Sequence, residues 1–182
     1  MKTKKFTLSS GGKLAVLISM ILTPVSISYA AGIEAAGEKA NRPEISHLDN
    51  GAVLINIAPP SESGLSHNQY QDFNVDKPGA VFNNSIQNTN YDKESIAANP
   101  NLATGGRGAE VILNEVVGDN PSILLGRQHL VGADADYILA NPNGVTCDGC
   151  SFDPNFNKVT LGAGNVIMVD DGKYGSLMTT SH

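Results

Sequence analysis

Apolar and β-branched residues in this chain gather in short runs: Ala52 to Ile57, Ala80 to Phe82, Val111 to Leu113, Ile123 to Leu125, Tyr137 to Leu139, Val159 to Leu161 and Val166 to Val169. Each run is bounded by Gly, Asn, Asp or Pro, so each reads as a β-strand between turns. After residue 30 no segment keeps a helical apolar period with capping residues at its ends, and the pattern predicts an all-β fold. Asparagine stands where several strands stop, at Asn56, Asn83, Asn84, Asn114 and Asn141, which suits corners that need left-handed backbone. Strand centres recur at roughly 22 to 31 residues, the length of one solenoid turn with its loops, whereas sandwich strands recur at roughly 8 to 12. The spacing therefore favours a parallel β-helix over a sandwich.

The flanks differ in character. Lys2, Lys4, Lys5 and Lys13 surround the start of an almost wholly apolar segment, Leu14 to Leu22, which leads to Pro24 and the small-x-small site Ser28-Tyr29-Ala30. Residues 1–30 read as a signal peptide removed on export, because that apolar segment is too short to span a bilayer. Residues 31–50, rich in Ala, Gly and Glu, read as a loose leader or linker, and 51–182 as the domain proper. Within it, Asn88 to Gly108 is polar with few apolar anchors and reads as a long excursion. Gly172 to His182 reads as an unfinished end: Lys173, Tyr174 and Leu177 offer no cap to the apolar strand before them, so a solenoid stopping there is truncated with its core open.

Removing the signal alters the electrostatics. It holds four of the 12 Lys and Arg and none of the 18 Asp and Glu, which leaves eight against 18, a net charge of −10. Such a surface repels phosphate backbones and anionic lipid, which argues against nucleic acid as a partner.

Two related tetrapeptides interrupt the strands: Asn99-Pro100-Asn101-Leu102 and Asn141-Pro142-Asn143-Gly144. Proline lacks a ladder N–H and asparagine bonds its own backbone, so each block predicts a built turn. The second runs through Val145-Thr146 into Cys147-Asp148-Gly149-Cys150. As the only cysteines of an exported chain, Cys147 and Cys150 read most simply as a local disulfide. A thioredoxin-like site wants a helix N-terminus that is not in evidence, and a zinc site needs further ligands that His47, His67, His129 and His182 do not supply at any ligand spacing. Asp134, Asp136, Asp170 and Asp171 resemble the acid clusters of pectin-cleaving β-helices or a calcium site, with solvated turn charges as the plainer reading. Gly105-Gly106-Arg107-Gly108 lacks the Lys-Ser/Thr end of a phosphate loop, and His67 beside Ser66 on a strand faces the opposite way. No metal, cofactor or small-molecule substrate is expected.

Taken together, the chain from about Gly51 to Val169 resembles the haemagglutination-activity, or two-partner-secretion, domain at the N-terminus of filamentous haemagglutinins, secreted haemolysins and contact-dependent growth-inhibition proteins. The matching residues are Gly64-Leu65-Ser66-His67-Asn68 with Tyr70 and Phe73-Asn74-Val75, then Asn99-Pro100-Asn101-Leu102, Ile112-Leu113-Asn114-Glu115-Val116, and Ile138-Leu139-Ala140 running into the second block and on to Cys147. Val145 stands where isoleucine is frequent. The resemblance implies a right-handed parallel β-helix and a role that is not catalytic. It also implies export by the general machinery, capture of the extended chain by periplasmic modules of an outer-membrane transporter, and folding at the cell surface or in the medium. Under it, the two blocks either present groups to the transporter or only shape corners. Family members usually continue into a long adhesive or toxic passenger, so the chain reads as a truncated product or a free-standing secretion domain. The competing expectations are a β-helical carbohydrate-active enzyme using Asp134, Asp136 and Asp170, and a surface adhesin.

Overall fold

The computed structural model describes residues 32–169 and 173–179, with side chains described through residue 166. The signal peptide expected over 1–30, together with Asp170, Asp171 and His182, lies outside the described residues.

Among the described residues the chain is built from β-strands and two short 3-10 turns. Two five-stranded sheets carry most of it. In one, β4 (Leu65–Phe73), β8 (Val111–Val116), β11 (Ala135–Ala140) and β14 (Phe156–Gly162) run parallel, with β1 (Ile33–Ala35) antiparallel at the edge against β4. In the other, β3 (Val53–Asn56), β5 (Ala80–Asn84), β10 (Arg127–Gly132) and β13 (Ser151–Phe152) run parallel, with β2 (Glu44–His47) antiparallel against β3. A narrow third ladder pairs β9 (Ser122–Leu124) with β12 (Val145–Cys147) and gains a parallel bridge from Val75 to Leu124. The chain visits the sheets in rotation. Register places Leu65, Val111 and Asp136 in one row, and Val53, Ala80 and Gln128 in another.

The core lies between the sheets. Tyr70 meets Phe73 edge to face at 4.8 Å, Phe73 leans on Phe82 at 6.4 Å, and Phe82, Tyr137 and Phe156 pack edge to face, Tyr137–Phe156 at 5.3 Å, while Ile55, Ile112, Leu124 and Leu139 fill the gaps. Each such side chain contributes about 1.5–3 kcal/mol by leaving water. The outer faces are apolar too. Val81 and Val131 are covered by Ile96 of a hairpin made by β6 (Thr89–Tyr91) and β7 (Glu94–Ile96), and Leu113 and Ile138 meet Val166 of β15 (Gly164–Val169).

Every apolar run read from the sequence falls in a strand, but three readings change. The segment expected as a loose leader, 31–50, is ordered where it is described: residues 32–50 hold β1 and β2, short charged edge strands whose Ile33 and Ile45 face the core while Ala, Gly and Glu dominate the composition. The excursion from Asn88 to Gly108 is anchored, by Ile96 and by fully buried Leu102. The strand at Val166 to Val169 does gain a partner, since β16 (Lys173–Thr179) pairs antiparallel with β15.

Candidate functional site: the two Asn-Pro-Asn turns

Both blocks leave a strand or ladder and close a corner with the same device. In the first, Asn99 is extended (φ −70°, ψ 114°) and caps a 3-10 turn over Pro100–Leu102, its Oδ1 accepting from Asn101 N–H at 2.9 Å. Proline suits the position that follows, where its fixed φ continues the turn and no N–H is needed. In the second, Asn141 Oδ1 accepts from Asn143 N–H at 2.9 Å, and Gly144, at φ 110°, donates its N–H to Asn141 C=O. That backbone region suits glycine, which explains why the second block ends in Gly and the first, whose chain stays right-handed, ends in Leu102.

The two turns also bind to the rest of the fold alike. Asn99, 1% exposed, donates Nδ2 to Ile57 C=O at 3.1 Å and to Asn83 C=O at 2.9 Å, and Asn101 Nδ2 reaches the same Ile57 carbonyl at 3.1 Å. Asn141, fully buried, donates Nδ2 to Asn120 C=O at 2.9 Å and Ser122 Oγ at 3.0 Å, while Asn143 Nδ2 reaches Gly118 C=O at 2.8 Å. In each block the first asparagine shapes the turn with its oxygen and ties down neighbouring backbone with its nitrogen. The third residue adds a second tie. What the folded corners show to solvent is Pro100 and Asn143, with parts of Asn101, Pro142 and Gly144.

Just beyond the second block, Cys147 and Cys150 are joined in a disulfide with Cα atoms 5.3 Å apart, and Asp148 N–H bonds Leu124 C=O within the turn they close.

Other candidate groups are scattered or occupied. Asp134 is exposed and Asp136 half-buried, and no cluster of three potential metal ligands occurs among the described residues. Ser66 Oγ points inward to Ala58 C=O at 2.7 Å, whereas His67 points outward to Glu115 at 2.7 Å. Burial raises the Glu115 carboxyl, but hydrogen bonds from His67 and Gln69 and the His67 charge outweigh it and hold the group below its ordinary value. Arg107 of the Gly-rich loop is spent on Glu62 C=O and Glu110. One cluster escaped the sequence reading. Asp153 accepts from Arg127 Nε at 2.8 Å and faces His129 Nδ1 at 3.2 Å, while His129 Nε2 meets Tyr91 Oη at 2.7 Å. Burial lowers the His129 pKa and raises that of Tyr91, so the tyrosine is not activated as a nucleophile. These residues come from β6, β10 and the loop after β13, a meeting no linear spacing reveals.

The chain is 49% identical over 169 residues to a haemolysin of Serratia marcescens and 47% identical over 166 residues to one of Proteus mirabilis, covering 92% and 91% of this chain but 10% of each relative. It is 39% identical over 171 residues to a 16S rRNA endonuclease CdiA of Enterobacter cloacae, of which it spans 5%. The crystal structure of a filamentous haemagglutinin secretion domain superposes with a TM-score of 0.69 at 36% identity, covering 78% of this chain and 45% of that one. The family model described as the TPS secretion domain matches residues 31–179, and the chain belongs to that family.

Proposed function

We propose that this chain is the secretion-targeting part of an exported adhesin, haemolysin or contact-dependent toxin, read by an outer-membrane transporter and wound into a right-handed parallel β-helix outside the cell. As a secretion domain it travels to the cell surface or the medium. The parallel registers within both large sheets, with the chain moving from one ladder to the next in rotation, support the solenoid. Parallel pairing joins residues far apart in sequence and forms slowly, which suits a chain that must stay extended until it has crossed a membrane. The role we propose is targeting rather than catalysis, in keeping with relatives that are haemolysins and toxins matched only over their secretion domain; among the described residues Asp134 and Asp136 belong to no group of three or more potential metal ligands.

The observation that carries the reading of the two blocks is the burial of Asn99 and Asn141 with their amides spent on backbone. In the folded domain they lock corners. The periplasmic modules of the transporter meet the chain earlier, as an extended strand added to a sheet edge. The test co-expresses the chain with its outer-membrane transporter and measures release into the medium, then capture of the urea-unfolded chain by the purified periplasmic modules. Release that needs the transporter supports the targeting role, and release without it removes that role. Asn99→Ala and Asn141→Ala lower the yield of folded, released protein while capture is unchanged. Loss of capture in either variant would instead assign the blocks to docking.

A further inference from the structure

Two tyrosines stand fully buried between the sheets, and their hydroxyls are treated differently. Tyr70 donates to Asn114 Oδ1 at 3.0 Å, and Asn114 Nδ2 passes on to Ile138 C=O at 3.2 Å, so that network is closed at both ends. Tyr137 on β11 donates to Gln128 Oε1 on β10 at 2.6 Å, but Gln128 Nε2, equally buried, has no hydrogen-bond partner among the described residues. Turning the amide over does not complete the network, because it leaves the carbonyl oxygen and the tyrosine proton unpaired instead. The surroundings are apolar. Gln128 lies in register between Ala80 and Phe152, and the Tyr137 ring packs on Phe82, Phe152 and Phe156.

A half-satisfied amide in such a place weakens the structure around it. Removing both polar partners while keeping their shapes relieves the cost, because no orphan group remains. Phenylalanine preserves every ring contact of Tyr137, and methionine matches the unbranched reach of Gln128.

We propose that Gln128 and Tyr137 form a built-in weak joint, at which β10 and β11 open more readily than the strands before them. During transit this joint keeps the later strands unwound. The first statement stands on the geometry alone, and the second rests on the secretion reading above.

The test is amide hydrogen exchange on the full chain as wild type, Tyr137→Phe and Gln128→Met/Tyr137→Phe. Tyr137→Phe alone, which strips the amide of its last side-chain partner, speeds exchange in β10 and β11. The double variant slows exchange there by about tenfold relative to wild type, with amides of β3 changed little. A double variant that exchanges as fast as wild type, slows all strands equally, or does not fold overturns the joint, since the pair would then be neutral, global or necessary. Transporter-dependent release gives the second reading. A double variant with slowed exchange and reduced release ties the joint to transit, and slowed exchange with undiminished release cuts that tie. Wild-type release that does not need the transporter overturns the secretion reading and leaves the exchange result standing.

Discussion

Replacing Asn99 distinguishes a corner lock from a surface signal, because aspartate has nearly the same shape as asparagine but cannot donate. Asn99→Ala removes three hydrogen bonds: the one its oxygen accepts from Asn101 N–H and the two its nitrogen donates to Ile57 and Asn83 carbonyls. The Ile57 carbonyl keeps Asn101 Nδ2, so the losses fall on Asn101 N–H and Asn83 C=O. At about 1–1.5 kcal/mol for each deprived group, the alanine variant is less stable by about 2–3 kcal/mol. Asn99→Asp keeps the turn-forming oxygen but sets the other oxygen against two carbonyls in a site 1% exposed. An uncompensated buried charge costs about 3–5 kcal/mol, so aspartate is worse than alanine. Urea unfolding of the full chain at pH 7, followed by circular dichroism, reads both values. The reasoning fails if Asn99→Asp lies within about 1 kcal/mol of wild type, or if alanine proves the more damaging change.

Other expectations follow from single sites. Gly132 sits at φ 90°, and an added Cβ there meets the backbone carbonyl of Asn84, so Gly132→Ala destabilises by about 2 kcal/mol or more. Gly106→Ala, at φ 61° in open space, costs only about 1 kcal/mol, and thermal melts of the two variants give the order. Reducing the Cys147–Cys150 disulfide opens a loop of sequence separation 3 and lowers stability by about 2 kcal/mol, measured as a shift in urea midpoint with dithiothreitol. Acid weakens the fold in two steps. The His129 pKa is lowered from 6.5, chiefly by burial against the opposing pull of Asp153, so the unfolded chain takes the proton first and stability falls as pH drops below 6.5. The Glu115 carboxyl, lowered from 4.5, gives a second loss as pH falls below that value through its folded pKa. His129→Gln abolishes the upper step in a series of urea midpoints against pH and leaves the lower one.

What the sequence concealed has a common cause. The apolar runs at Ala80 and Tyr137 announce themselves because their strands are buried on both faces. The longest described strand, Leu65–Phe73, hides because Ser66 and Asn68 point inward: Asn68 accepts from Ala58 N–H at 2.8 Å and donates to Leu113 C=O at 3.2 Å. Polar residues so engaged cost little to bury but break the alternation by which a strand is read. Arg127–Gly132 is masked likewise by Gln128 inside and His129 outside. The two blocks were legible as turns from their residue types. Their depth was not, since burial of Asn99 and Asn141 depends on carbonyls at Ile57, Asn83 and Asn120 that only the folded chain brings near.

The amide donors of both blocks face one way along the polypeptide. Asn99 and Asn101 reach residues 57 and 83, and Asn141 and Asn143 reach residues 118, 120 and 122, all earlier in the chain. If the fold winds from its N-terminal strands onward, each corner can be fastened as soon as its own residues arrive, because its anchor points are already in place. Each corner then works as a pawl, because once closed it is held by strands laid down before it and asks nothing of those still to come.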